Sequence, residues 1–191
     1  MKPLGRPRLD NEMPDDFTLR RYDARDTDAV WDLHEWAMQA AGTDPADIPG
    51  TEDLRQIETM YLDGGGDFLV GVWQGADIDA ERPLPGTFDG PLVAMGGVLP
   101  SEAGHDDERT VAGAAELHRM RVAPPLQGRG YGRELLAALE TRAVELGFDL
   151  LLATTAARQE AATRFYPAAG YEAVGQSTMG EYELRHYEKK L

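Results

Sequence analysis

The stretch Ala123–Leu139, "APPLQGRGYGRELLAAL", sets two prolines and then glycines at 128, 130 and 132 in front of a helical run. Glycine within a helix costs about 1 kcal/mol relative to alanine, so three glycines at alternate positions imply that bare backbone is needed there. A strand before them and a helix after them would form an anion site, because first-turn amides have no intrahelical acceptor and the helix dipole favours negative charge. Phosphate is the usual guest. Spacing separates the glycine loops that compete for this reading. A Walker loop ends GK[ST], whereas Gly132 is followed by Arg133 and Glu134. The dinucleotide fingerprint is GxGxxG with an acid closing the next strand. Here the spacing is GxGxG and the next strand ends in "ATTA". The pattern present is QxxGxG, from Gln127 through Gly130 to Gly132.

On either side of the loop, hydrophobic periodicity divides the chain into short elements. "FTLRRYD" (17–23) reads as an alternating strand. "DTDAVWDLHEWAMQAAG" (26–42) reads as a helix capped by Asp26 or Thr27, with Val30, Leu33, Trp36, Ala37 and Ala40 on one stripe and Gly42 as its stop. A second helix is predicted in "GTEDLRQIETMYLDGGG" (50–66), where Leu54, Ile57, Met60 and Tyr61 fall three and four apart. "DFLVGVWQG" (67–75), "GPLVAMGGVLP" (90–100) and "AAELHRMRV" (114–122) are strands separated by acidic loops. The helix after the glycines carries Leu135, Leu136, Leu139, Ala143 and Leu146 on one side and stops at Gly147. "DLLLATTA" (149–156) is uninterruptedly apolar, as a strand covered on both faces would be. "RQEAATRFYPAAG" (158–170) is a helix in which Pro167 is expected to break or kink the chain. "YEAVGQSTM" and "EYELRHYEKKL" close the chain as a strand pair. Residues 1–14 read as a polar tail and residues 15–191 as one domain, with helices on both faces of a mixed sheet.

The 191 residues carry a formal charge of −15 and no cysteine. That charge argues against a nucleic-acid backbone as partner and makes an amine the easier guest. Without cysteine there is no disulfide, thiolate metal site or cysteine nucleophile, and a reducing cytoplasm is compatible. No apolar run approaches the roughly 20 residues needed to span a bilayer, so no membrane partner is expected. No metal-ligand spacing stands out. His34 in "LHEW" has no partner at such spacing and reads as structural.

The QxxGxG loop resembles the acetyl-CoA pyrophosphate loop, [QR]xxGx[GA], of the GCN5-related N-acetyltransferase (GNAT) family. "ELHRMRVAPPLQGRGYGRELLAALE" is similar to that family's strand, loop and helix along its whole length, and "EAATRFYPAAGYEAVG" resembles its later "A..FY...GF" block. With the element order, the resemblance covers roughly residues 17–191. It implies an α/β fold with a mixed, mostly antiparallel sheet of six to seven strands, two of which splay apart around acetyl-CoA. It further implies transfer of an acetyl group from acetyl-CoA to a primary amine. Backbone at Met120, Arg121 and Val122 would hold the pantetheine and thioester. The segment Gln127, Gly128, Arg129, Gly130, Tyr131, Gly132 and Arg133 would hold the pyrophosphate, with Arg129 and Arg133 adding charge. Gln159 stands where the family often has a cofactor-contacting asparagine.

An alkyl amine arrives protonated, with a pKa of about 10.4, so attack on a thioester needs a base. By the same resemblance Glu116 is the candidate, and His118, on the same strand face by alternation, is the second. Against a catalytic role, Glu116 could be a strand-end carboxylate paired with Arg119 or Arg121. Tyr166 stands where the family's general acid protonates the departing thiolate. The acceptor is expected near the first two helices, the last strands and the 42–53 loop, where Asp44, Asp47, Glu52 and Asp53 could attract a cation. A rival reading is a CoA-binding sensor or interaction module that has lost turnover. A homodimer stays open.

Overall fold

The computed structural model describes residues 16–45, 50–106 and 108–191. Its seven strands are β1 (Phe17–Arg21), β2 (Asp67–Trp73), β3 (Leu92–Pro100), β4 (Ala115–Val122), β5 (Leu150–Ala156), β6 (Glu172–Met179) and β7 (Tyr182–Lys190). They form one sheet in the order β1-β2-β3-β4-β5-β7-β6, in which only β4 and β5 run parallel. Three α-helices pack on it: α1 (Thr27–Ala40), α2 (Tyr131–Glu145) and α3 (Glu160–Ala168). The tail expected at 1–14 and the acid at Asp47 lie outside the described residues.

The parallel pair is the shortest pairing in the sheet. β4 and β5 are in register only at Ala115–Leu117 against Leu151–Ala153. Beyond those three rungs β4 stays on β3, through Val122 opposite Ala94, while β5 follows β7 to Ala156. The two strands therefore part in the middle of the sheet, as the family resemblance implied.

Adjacent glycines in β3 show what covers each face. A Cβ on Gly96 would meet Met120, Leu139 and Leu135, so that face belongs to α2. A Cβ on Gly97 would meet the Tyr61 and Phe68 rings at 2.6 and 2.8 Å, so the opposite face belongs to the segment after α1. The α2 stripe is buried at Leu135, Leu136, Leu139 and Ala143, but Leu146 is exposed at the helix end. On α1 the core face is Ala29, Val30, Leu33, Ala37 and Met38, and Ala40 is exposed. Pro167 sits inside the last turn of α3, where only one further helical residue follows it.

The second helix predicted at 50–66 is not continuous. A 3-10 turn, Thr51–Arg55, ends at Gln56 (φ −132°, ψ 32°) and is followed by a π turn, Glu58–Leu62. In an unbroken α-helix residues 53 and 61 would lie about 12 Å apart along the axis. The break instead lets the Tyr61 hydroxyl donate to Asp53 Oδ2 at 2.6 Å, which gives a buried carboxylate a partner while Leu54, Ile57 and Tyr61 still reach the core.

Because the Tyr61 and Phe68 rings leave no space at Gly97, Gly97→Ala should destabilise the fold by about 1–3 kcal/mol, the usual cost of overpacking. Denaturant unfolding of the variant beside wild type measures it, and an unchanged midpoint would contradict this account of the double glycine.

Candidate active site

The candidate site is built on a fault in β4. Residues 118 and 121 face Gly97 and Met95, so two residues of β4 oppose one of β3, a β-bulge. Within it Arg119 has φ 54°, the sole non-glycine residue at positive φ among the described residues. This conformation costs about 1–3 kcal/mol and needs outside support. Asp53 and Gly50 supply it. Arg119 Nε donates to both oxygens of Asp53, at 3.0 and 3.2 Å, and its Nη2 donates to the Gly50 carbonyl at 2.7 Å.

The bulge changes which side chains share a face. Before it, His118 lies opposite Gly97 and stacks edge-on against Tyr61, so His118 and Glu116 face away from α2. After it, Met120 and Val122 face α2, the former against Gly96 and the latter against Gly132. Arg119 and Arg121 therefore join Glu116 and His118 on one side. Regular alternation would have left the arginines on the other.

Glu116 is fully buried, and neither carboxylate oxygen has a hydrogen-bond partner among the described residues. It is thus not paired with Arg119 or Arg121. Burial first, and the nearby charge of Glu108 second, push its pKa up to about 8, tempered by Thr154 and Arg109. Buried His118 has its Nε2 3.2 Å from Glu108 Oε2, out of line for a hydrogen bond. Glu108 Oε2 also accepts from the His105 amide at 2.8 Å. Asp53, His105 and His118 bring ligand-type atoms within 4.8 Å of one another, but Asp53 already spends both oxygens on Arg119. The guanidinium stands where a cation would have to approach. Burial opposes the charge on Asp53, yet His105, Arg119 and Tyr61 hold its carboxyl below the ordinary range. Asp53 is accordingly no open attractor for a cationic acceptor, contrary to the sequence expectation.

Tyr166 lies across the gap on α3, buried among Phe165, Tyr171 and Tyr187. Burial first, and the Glu116 charge second, push its phenol up to about 12. No hydrogen bond ties its hydroxyl among the described residues.

At the other end of the gap the glycine loop joins β4 to α2. Gly128 (φ 73°) and Gly130 (φ 99°) are left-handed, and a Cβ on either would stand in open space. Gly130 caps α2, its carbonyl accepting from the Arg133 and Glu134 amides at 2.9 and 3.1 Å. The Arg133 amide is thus turned inward, while those of Gly130, Tyr131 and Gly132 have no acceptor among the described residues. Gly132 is different: a Cβ there would touch Val122 and Phe165 at ordinary distances. The Tyr131 side chain belongs to the core, edge-on to Phe17 and Trp73. Gln127 Nε2 donates to the Val122 carbonyl at 3.0 Å, tying the loop to the strand. Arg129 and Arg133 are exposed and make no ion pair among the described residues. Gln159 precedes α3, its Oε1 accepting from Thr155 at 3.1 Å.

Two groups stand in surroundings that the sequence did not disclose. His34 is fully buried with neither ring nitrogen partnered. Burial first, then the charges of Arg121 and Arg119, push its pKa down to about 3. Arg121 is the other, and its side chain enters the site solely because of the bulge. The double glycine "MGGV" in β3 was the one available signal, since a glycine inside a strand often marks a bulge.

The Acetyltransferase (GNAT) family model matches residues 16–171. No curated protein matches the chain significantly. Among solved structures, a GNAT-family acetyltransferase from Staphylococcus aureus Mu50 superposes with a TM-score of 0.68 at 16% identity, covering 91% of this chain and 98% of that one. The Salmonella typhimurium protein yncA, solved with its cofactor acetyl-CoA, gives 0.63 at 20% identity, with 92% and 94% covered. A ribosomal-protein-alanine N-acetyltransferase from Brucella melitensis gives 0.63 at 23% identity, with 91% and 99% covered.

Removing the guanidinium that supports the bulge should be costly. Arg119→Ala leaves Asp53, whose side chain is 2% exposed, without its cation, and breaking such a pair typically costs about 3–5 kcal/mol. Arg119→Ala/Asp53→Asn should be less destabilised than the sum of the single variants. Strict additivity in denaturant unfolding would dissociate the pair from the bulge.

Proposed function

The chain belongs to the GNAT acetyltransferase family, and on that premise we propose that it transfers the acetyl group of acetyl-CoA to a primary amine, with Glu116 as general base and Tyr166 as general acid. One observation carries the reading. A fully buried carboxylate with no partner among the described residues sits on the short paired stretch just before β4 and β5 part, and its charge raises the pKa of a buried phenol on α3.

The described residues fit acetyl-CoA. The unpartnered amides at Gly130, Tyr131 and Gly132, and the open space before Gly128 and Gly130, suit a pyrophosphate at a helix N-terminus. Arg129 and Arg133 add positive charge beside it. The gap between β4 and β5 exposes strand backbone to which pantetheine amides would bond, and Gln159 can contribute an amide. Bound there, acetyl-CoA supplies the activated acetyl carbonyl and a thiolate leaving group.

Glu116 takes a proton from the acceptor nitrogen, freeing its lone pair to attack. With a pKa near 8 the carboxylate is an adequate base near neutrality, better matched to that task than an ordinary glutamate. As the carbon–sulfur bond breaks, Tyr166 gives its proton to sulfur, whose thiol pKa is about 8.5. The phenol is protonated at working pH, as an ordinary tyrosine with a pKa of about 10 already is, and burial raises it further. His118 lies between Glu108 and Tyr61 on the same strand face as the base.

Release of free CoA thiol over a panel of amines tests the activity, and its pH profile tests the base. Wild-type kcat/KM should rise with pH and level off near 8. Glu116→Gln should lower it most below that point and be partly rescued at higher pH, when more amine arrives deprotonated. Stability gives an independent reading. A carboxyl whose folded pKa is raised favours folding below its unfolded pKa, and loses that advantage as pH climbs through the folded value. Glu116→Gln should therefore gain on wild type between about pH 4.5 and pH 8. A pH-independent rate defect, with no such gain, would assign the base elsewhere.

Tyr166→Phe keeps the ring and its aromatic neighbours, so stability and acetyl-CoA affinity should hold. Turnover should fall roughly 10²- to 10⁴-fold, the range of general-acid catalysis. Wild-type turnover in single-turnover measurements would remove Tyr166 from the mechanism.

A further inference from the structure

Every buried side-chain atom left without a hydrogen bond among the described residues belongs to four residues of one site: His34, Glu116, His118 and Arg121. The mechanism uses Glu116 and places His118. It has no use for Arg121 and His34.

Arg121 is anomalous on electrostatic grounds. The other cations near it have anions, Arg119 holding Asp53 and Arg109 holding Glu188. Arg121 has none. It is half-buried on the β4 face that looks toward α1; among the described residues its buried Nε has no acceptor, and its one hydrogen bond runs from Nη1 to the Met120 carbonyl at 2.8 Å. Four of its five N–H groups have no acceptor among the described residues. A buried cation is normally paired, because isolated burial of charge is costly, and in a chain of net charge −15 the missing anion is not for lack of acids. The arginine is kept apart from them. Beside it His34 is neutral and offers two unpartnered ring nitrogens, one a donor and one an acceptor.

We propose that Arg121 is the acceptor-recognition residue and binds a carboxylate on the amine substrate, with His34 as an additional hydrogen-bond donor, so that the acceptor is an amino-acid-like molecule carrying both an amine and a carboxylate. This rests on the acetyltransferase reading for the amine half. Geometry separates it from cofactor binding: Arg121 faces α1 and the buried Asp53 cluster, whereas Met120, Val122 and the glycine loop face α2. Guanidinium suits a carboxylate because its forked N–H groups match two oxygens. Arg121 and Glu116 on one face would fix the two ends of the acceptor and aim its nitrogen at the base.

The test has a binding arm and a turnover arm. In the first, calorimetry in the presence of CoA uses amine-free carboxylic acids with amino-acid side chains, which cannot react. They should bind wild type and bind Arg121→Met at least about tenfold more weakly, as expected for a lost hydrogen bond to a charged group. Arg121→Lys should recover part of the affinity, and CoA affinity should be equal in all three. In the second arm, each amino acid is compared with its amide and its decarboxylated amine by CoA-thiol release. The free acid should be preferred by on the order of 10- to 100-fold in kcat/KM, and Arg121→Met should erase the preference by raising KM. Failure of every carboxylic acid to bind, equal binding by Arg121→Met, or a CoA affinity that falls with Arg121 while acid binding persists would each overturn the assignment. Preference for the amides or decarboxylated amines would overturn it and leave the acetyltransferase standing. Carboxylate binding without CoA release from any amine would sink the catalytic reading and leave the recognition site intact.

Discussion

The ion pair between Arg119 and Asp53 is the constraint on which the site depends. It holds a non-glycine residue at φ 54° in the middle of a central strand, a conformation the chain would otherwise leave. The bulge it stabilises gathers Glu116, His118, Arg119 and Arg121 on one side while Met120 and Val122 stay with the core helix. Without it, β4 would offer the same face Glu116, His118, Met120 and Val122, half of it apolar, and both arginines would be driven into α2. Asp53 can serve because the segment after α1 breaks at Gln56, which brings Tyr61 back onto the same carboxylate.

Such a site is bought against stability. Each buried polar atom without a partner forfeits about 1–3 kcal/mol, and here these atoms are concentrated along one strand and one helix rather than scattered. The rest of the sheet compensates. β2 and β3 are buried along almost their entire length, and the α2 leucines close over them. Among the described residues, buried side-chain polar groups are satisfied elsewhere and left open in the same small region, the usual relation between a stable scaffold and a functional site.

How much of this the sequence disclosed follows from the range of the interactions involved. The strands, α1, α2 and α3 were legible because each is written in a local period, and the glycine loop because its spacing is local too. Glu116 and Tyr166 came from motif resemblance, and both are buried, with the Glu116 charge acting on the Tyr166 phenol. The break at Gln56 was hidden, since Leu54, Ile57 and Tyr61 keep helical spacing although the backbone does not. The bulge was hidden for a deeper reason: nothing in "LHRMRV" marks Arg119, and its cause lies 66 residues away in Asp53. Arg121 read as a strand residue contributing backbone, because a side chain's face cannot be read across a bulge.

The pairing of Glu116 with Tyr166 has a kinetic consequence for the proposed roles. Both groups are raised by the same burial, but the Tyr166 phenol is raised further by the negative charge of Glu116. When Glu116 takes the acceptor's proton that charge disappears, and the phenol becomes a stronger acid as the sulfur begins to leave. Before proton uptake the same charge keeps Tyr166 protonated. Base and acid are thereby coupled in sequence with no moving part. The coupling requires a low-dielectric gap, since charges are screened weakly where water is excluded, and this gives the absence of a partner on Glu116 a purpose. An arginine paired with Glu116 would stabilise the carboxylate, lower its basicity and screen Tyr166 from the change. The bulge brings both arginines to the Glu116 face, and the commitment of Arg119 to Asp53 keeps that guanidinium from the Glu116 carboxylate.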